Sequence, residues 1–191
     1  MRISSIVFCF ILLFSLNSSG QEKGEDVKSI LKNALKFYEE GDPLSTLTEL
    51  DKALEILVKE AGKKIEKALP SGGEMWSAGE TQTLRFGKGG ISVVRTYTNK
   101  EKKDVKAKLN ITYGSPLLPY INSLMQNEFF VERKDVIEVD GLRLLFIELP
   151  EEKGYECYTI VQPGYLITLK GNTTKESIIK LIKSIDYSKL H

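Results

Sequence analysis

Two spacings of hydrophobic residues divide the chain: a helical one up to about residue 70 and an alternating one after about residue 80. Gly41-Asp42-Pro43 separates two helical stretches, because glycine adopts the left-handed cap conformation and proline cannot continue a helix. The first stripe is Val27, Ile30, Leu31, Ala34, Leu35 and Tyr38, and the second is Leu44, Leu47, Leu50, Leu54, Leu57, Val58, Ala61, Ile65 and Ala68. This pattern predicts a helical hairpin.

The alternating part of the chain predicts about seven strands. They cover residues 81–86, 91–98, 105–113, 136–139, 142–149, 155–161 and 165–170. Asp140-Gly141 between two apolar runs is a strong hairpin signal, because glycine accepts a positive φ. Leu142–Leu149 is apolar on both faces, so we expect a central strand with cover on both sides.

Two shorter helices are predicted within the strand region. Ser115-Pro116 is typical of a helix start, and this helix ends near Asn127, after which Phe129-Phe130-Val131 returns to the core. Thr173 and Glu176 form a capping box that begins a final helix, which ends near residue 186 and leaves residues 187–191 as a tail.

These elements predict an α+β fold, with an N-terminal helical hairpin followed by an antiparallel sheet of about seven strands covered by helices. The hairpin occupies residues 21–70, a connector residues 71–79, and the sheet domain residues 80–191. The hairpin is similar to one tetratricopeptide unit, although Thr46 replaces the small alanine of that repeat. A single unit cannot bury its face by stacking on neighbouring repeats. The stripe therefore packs on the sheet domain, on a second molecule or on a protein partner, and the partner face is predicted at Leu47, Leu50, Leu54 and Leu57.

The first 20 residues have the composition of a signal peptide. Arg2 is followed by the apolar run Ile6–Leu16, and Asn17-Ser-Ser-Gly20 supplies small residues for cleavage. We therefore expect an exported, periplasmic protein that is cleaved near Gly20.

Charge gives little support for nucleic-acid binding. The whole chain carries a net charge of +1, and removal of Arg2 with the signal peptide leaves acidic and basic residues in balance. The one dense basic stretch contains Lys102, Lys103, Lys106 and Lys108. This stretch is either a solvated sheet edge or a candidate anion patch. As an anion patch it binds an anionic ligand or makes peripheral contact with anionic lipid.

The available side chains exclude several kinds of catalytic site. His191 is the sole histidine and Cys157 the sole cysteine after residue 20, so His-dependent triads, multi-histidine zinc sites and Cys₄ sites are ruled out within one chain. Cys157 is expected to be a small buried core residue. We expect no metal and no cofactor, and the sequence favours a protein without enzymatic activity.

Aromatic residues leave one alternative open, a pocket for a small molecule or a lipid. Its candidate lining is Trp76, Tyr97, Tyr113, Tyr155 and Tyr165. Strand propensity and cross-strand packing account for most of the tyrosines in strands. Trp76 is expected to dock the connector on the core.

The order of three strands, a helix, a four-strand meander and a final helix resembles the PsbP-like domain. The local match covers residues 136–185 and includes Tyr165–Gly171 and the capped helix that follows. The chain is also similar to a group of exported bacterial proteins in Ser92–Tyr97, Ser115-Pro116-Leu117 and the Asp140-Gly141 turn. The resemblance includes no catalytic motif. It implies a non-catalytic binding or assembly module and carries over no functional residue. A carrier or weak enzyme that uses the aromatic pocket is the alternative.

Overall fold

The computed structural model describes residues 26–87, 89–133, 135–161 and 164–190, so the predicted signal peptide and His191 lie outside the described residues. The elements in chain order are α1 (Val27–Glu39), α2 (Pro43–Glu66), β1 (Trp76–Phe86), β2 (Gly90–Asn99), β3 (Lys106–Tyr113), α3 (Leu118–Gln126), α4 (Glu128–Glu132), β4 (Val136–Val139), β5 (Leu142–Leu149), β6 (Gly154–Val161), β7 (Tyr165–Gly171), α5 (Lys175–Lys183) and a 3₁₀ turn (Tyr187–Leu190). None of the described helices is both long and apolar enough to cross a membrane.

The strands form one antiparallel sheet of seven strands in the order β1-β2-β3-β7-β6-β5-β4. The α+β class and the helical hairpin before the sheet are confirmed. The prediction that Leu142–Leu149 is the central strand is wrong, because β5 lies second from the β4 edge and β7 lies in the middle. Its two-sided cover is confirmed: Leu144 and Phe146 belong to one core cluster and Leu145 to the other.

The two faces of the sheet have cores of unequal size. The larger core lies between one face and the C-terminal half of α2, α5 and the 3₁₀ turn. It includes Val93, Leu109 and Ile167 from the sheet with Ile65, Ile178 and Leu190 from the helical layer. The smaller core lies under α3 and contains Ile121, Met125, Val136, Leu145 and Leu166.

Several predicted boundaries were wrong. The connector is shorter than predicted, because β1 begins at Trp76 and continues past an irregularity between Ala78 and Thr81. The prediction that residues 129–131 return to the core fails for two of them, since α4 leaves Phe129 and Val131 exposed. The predicted tail is a 3₁₀ turn that buries Leu190, because this side chain fills the larger core.

A polar cluster attaches α2 to the sheet. The Arg95 guanidinium donates to the Glu66 carboxylate at 3.0 Å, to the Pro70 carbonyl at 3.1 Å and to the Thr81 hydroxyl. The Tyr97 hydroxyl donates to the same Pro70 carbonyl at 2.9 Å. Because Arg95 and Tyr97 are largely removed from water, their hydrogen bonds attach the end of α2 firmly to the sheet.

Candidate functional site

The turn between α1 and α2 is built by Gly41 and Asp42. Gly41 has a φ of 76°, which a glycine adopts without steric cost. The Asp42 carboxylate accepts from the Ser45 amide at 3.0 Å and from the Ser45 hydroxyl at 2.6 Å. These hydrogen bonds, that of the Ser45 side chain first, lower the pKa of Asp42. The turn therefore makes α1 and α2 antiparallel neighbours.

The inner surface of the hairpin is narrow. Ile30 and Ala34 of α1 and Ala53 of α2 are buried. Glu49 is also largely buried, and its carboxylate accepts from the Lys52 ammonium at 2.6 Å. Since alanine is small, this inner surface brings the two helices close together and cannot also bury the larger leucines of either helix.

The larger apolar side chains of the hairpin are exposed. We call them the hairpin face: Leu31, Leu35, Tyr38, Leu44, Leu47, Leu50 and Leu57, each between 43 and 76% exposed. Isolated exposed leucines are ordinary, but seven large exposed apolar side chains on two neighbouring helices are typical of a site of interaction.

The main members of the hairpin face lie on one side of the hairpin. Leu31 and Leu35 each follow by one position a buried residue of α1, and Leu50 follows the buried Glu49 of α2. One position is a rotation of about 100° around a helix axis. Because the two helices are antiparallel, an equal rotation away from each inner surface points to the same side. Leu31 and Leu35 of α1 therefore form one surface with Leu50 of α2, and Leu47 and Leu57 lie within about 60° of Leu50 around the same helix.

The apolar stripe of α2 has two environments. Val58 and Ile65 of α2, and Ala68 just after it, are buried against the sheet domain, as one of the three predicted alternatives required. Leu47, Leu50 and Leu57 are exposed, and only Leu54 of the four predicted partner-face residues is partly buried against the core. The described residues of the sheet domain thus leave Leu47, Leu50 and Leu57 uncovered.

Charged residues flank the hairpin face with opposite signs. Lys28 and Lys32 are exposed along the outer edge of α1, and Asp51 and Glu55 are exposed along the outer edge of α2. The Asp51 carboxylate also accepts from Arg85 of β1 at 2.8 Å. The apolar surface is therefore bordered by two lysines along the N-terminal part of α1, with the exposed Glu39 nearer the turn, and by two carboxylates along α2.

The aromatic residues of the predicted pocket lie in separate places. Tyr97 and Tyr155 occupy one row across the sheet, and Tyr113 pairs with Tyr165 in another row six residues further along β3. Six residues of a strand span about 20 Å. Trp76 is buried, and its indole N–H has no hydrogen-bond partner among the described residues. These five residues therefore do not line one pocket.

An open cleft of about 690 Å³ lies at the end of the sheet beside the start of α5. Lys102, Lys153, Lys175 and Tyr155 line it, together with the acidic residues Glu101 and Glu176. The Lys175 ammonium lies 5.2 Å from the centre of the Tyr155 ring and 5.4 Å from that of Phe146. An ammonium held over aromatic rings in this way is attracted by their negative faces.

The candidate anion patch is divided between two surfaces. Lys102 lines the cleft, whereas Lys106 and Lys108 lie on the face of the sheet that carries α3. Lys103 lies in the turn that joins β2 to β3 and is exposed. Lys170 lies directly opposite Lys108 and pairs with Glu152. This arrangement leaves a basic strip around one end of the sheet.

The cysteine is buried, and two of the carboxylates near the meander form ion pairs in the described part of the chain. Cys157 is buried as expected, and burial raises the pKa of its thiol. The described residues contain no group of three or more His, Cys, Asp or Glu side chains that could hold a metal ion. Of the carboxylates near the meander, Asp135 pairs with Arg133 and Asp140 with Lys183.

Sequence reasoning missed part of each site. It placed Leu31, Leu35 and Tyr38 in one stripe with Ile30 and Ala34, although these sets lie on different sides of α1. The one-position offset between them was the available signal. Lys153 in the turn before β6 and Lys175 at the start of α5 are distant in sequence, and no local pattern indicates that both line the cleft.

Comparison of the chain with protein-family models, curated proteins and solved structures found no match. The functional assignment therefore depends on the geometry of the chain's own residues.

Proposed function

We propose that the protein is an exported binding or assembly module without catalytic activity, and that the hairpin face is its docking surface. One observation carries the proposal: seven large apolar side chains on one helical hairpin, 43 to 76% exposed, are left uncovered by the described sheet domain. Burial of such side chains releases about 25 cal/mol per Å² of apolar surface. A protein that covers them gains affinity without needing any reactive group.

The construction of the hairpin supports this function. Its turn is held by Asp42 and its second helix is fixed to the sheet through Arg95, so the face is pre-organised. A rigid helical surface loses little conformational entropy when it binds. Export from the cell, and the relation to the PsbP-like domain, are parts of the same proposal. They rest on the composition of residues 1–20 and on the order of elements.

Substitution of Leu47 by glutamate tests the docking surface. Leu47 is 62% exposed, so Leu47→Glu should leave the free energy of unfolding within about 1 kcal/mol of the wild-type value. Native mass spectrometry of the protein, isolated gently from the compartment in which it functions, should show a protein complex for the wild type and a bare monomer for Leu47→Glu.

Thr48→Glu is the matched control, because residue 48 is exposed on the same turn of α2 but does not belong to the hairpin face. This variant should keep the complex. A wild-type protein without any bound protein, or a complex that survives Leu47→Glu, would contradict the proposal.

The cleft beside α5 favours a second candidate function, a carrier of a small anionic molecule. Lys102, Lys153 and Lys175 supply ammonium groups, and Tyr155 supplies an aromatic surface. Trp76 lines a smaller neighbouring cavity of about 240 Å³ and is the sole tryptophan, so its fluorescence should report binding. Titration with inorganic phosphate and with dicarboxylic acids should change this fluorescence in the wild type and not in Lys153→Glu. No change with any of these anions would contradict the carrier function.

A further inference from the structure

The charged residues along the two edges of the hairpin face are complementary to the same residues on a second copy of this chain. This inference rests on the proposed docking surface. The turn of the hairpin is centred on Gly41, midway between the end of α1 at Glu39 and the start of α2 at Pro43. In an antiparallel hairpin, residues equally distant from that centre lie at about the same level, and the buried pair Ile30 and Ala53 fits this to within one residue. By the same count, Lys28 and Glu55 lie within one residue, or about 1.5 Å of helix rise, of the same level, and so do Lys32 and Asp51.

A two-fold axis can bring two hairpin faces together in two ways. An axis parallel to the helices places α1 of one copy on α2 of the other and keeps every residue at its own level. An axis across the helices places α1 on α1 and α2 on α2. The second arrangement brings two basic edges together and two acidic edges together, which costs free energy through like-charge repulsion.

We propose that the hairpin face is the interface of an isologous dimer in which α1 of each copy packs on α2 of the other. Lys28 then meets Glu55 of the second copy, and Lys32 meets Asp51 of the second copy. Each pair occurs twice because of the two-fold symmetry. The four helices form an antiparallel bundle in which each helix has antiparallel neighbours. The leucines and Tyr38 fill its interior.

The size of the surface and the charge of the chain set the strength of this dimer. α1 has 13 residues, which corresponds to a length of about 20 Å. A face of that length corresponds to the low end of the size range of specific interfaces. Interfaces at that low end bury less than about 1,200 Å² in total. The net charge of +1 causes no strong repulsion between two copies. The dimer is therefore reversible and dissociates at low protein concentration.

Charge reversal tests the arrangement, because Lys28 and Glu55 have no ion-pair partner in the described residues of their own chain. Sedimentation equilibrium of the purified protein should show a monomer–dimer equilibrium. Lys28→Glu and Glu55→Lys should each raise the dissociation constant by about tenfold, because repulsion is introduced at two symmetric positions. The double variant should restore the wild-type constant, since exchanging the two charges again places opposite signs against each other across the interface.

The possible results distinguish a failure of the proposed dimer from a failure of the proposed docking surface. Circular dichroism of each variant verifies that the helices are kept. A monomer at all concentrations overturns the dimer, and so does a double variant that is not rescued. If the purified protein is a monomer while a native complex is lost in Leu47→Glu, the face binds a different protein and the docking function stands. If the native complex is also absent, both proposals fail.

Discussion

At the scale of the residue, Tyr97 shows how one buried polar group joins two elements. Its ring is fully buried, and its hydroxyl donates to the Pro70 carbonyl at the end of the α2 segment. Burial raises the pKa of Tyr97 to about 12, and the nearby positive charge of Arg95 opposes that rise. The strand pattern predicted Tyr97 correctly as a strand residue. It did not indicate the hydrogen bond, because Pro70 is distant in sequence.

The raised pKa of Tyr97 predicts a loss of stability in alkaline solution. Below about pH 10 the hydroxyl is protonated in both the folded and the unfolded chain, so its contribution to the free energy of unfolding is fully present. Between about pH 10 and pH 12 the unfolded chain releases the proton while the folded chain retains it, and the free energy of unfolding falls. Urea unfolding at a series of pH values should show this fall in the wild type and a shallower one in Tyr97→Phe.

Other groups add to the alkaline fall, since burial also raises the pKa of Tyr158 and Tyr187. The comparison of slopes therefore isolates Tyr97. Tyr38→Phe, measured at a protein concentration that keeps the chain monomeric, is the control, because the Tyr38 ring is exposed on the single chain, and its slope should equal that of the wild type. Equal slopes for Tyr97→Phe and the wild type would contradict the burial of the Tyr97 hydroxyl.

At the scale of the element, α2 shows what a hydrophobic stripe can and cannot predict. The spacing of its leucines and alanines predicted the helix and the side that faces the core. Nothing in the spacing indicates that the sheet covers Val58 and Ile65 but not Leu47, since that depends on where β1 and β2 end beneath the helix. Three α2 residues of the hairpin face, Leu47, Leu50 and Leu57, were therefore predicted, and its α1 residues were missed.

The two environments of α2 predict different costs for similar truncations. Ile65→Ala removes a buried side chain and should lower the free energy of unfolding by about 2–5 kcal/mol, because it leaves a cavity in the larger core. Leu50→Ala removes an exposed side chain and should cost less than about 1 kcal/mol. Urea unfolding at a protein concentration that keeps the chain monomeric measures both. Equal costs would show that Leu50 is covered within the chain.

At the scale of the whole molecule, local patterns predicted the class of fold better than the arrangement of its parts. The strands of the meander were predicted almost to the residue, because Asp140-Gly141 and the alternation are local signals. The position of β5 next to the edge was not predicted, because strand order depends on the pairing of β3 with β7 across more than 50 residues. The cleft beside α5 is likewise formed by loops, strand ends and the start of α5, which only the assembled sheet brings together.

The central claim is that the hairpin face is open on the folded chain and is covered by another protein. A photo-activatable cross-linking residue placed at position 47 tests it most directly, with position 48 of the same helix turn as the control. In cells that produce the protein, light should yield a cross-linked protein adduct from position 47 and much less from position 48. Equal adducts from the two positions, or none from position 47, would contradict the claim.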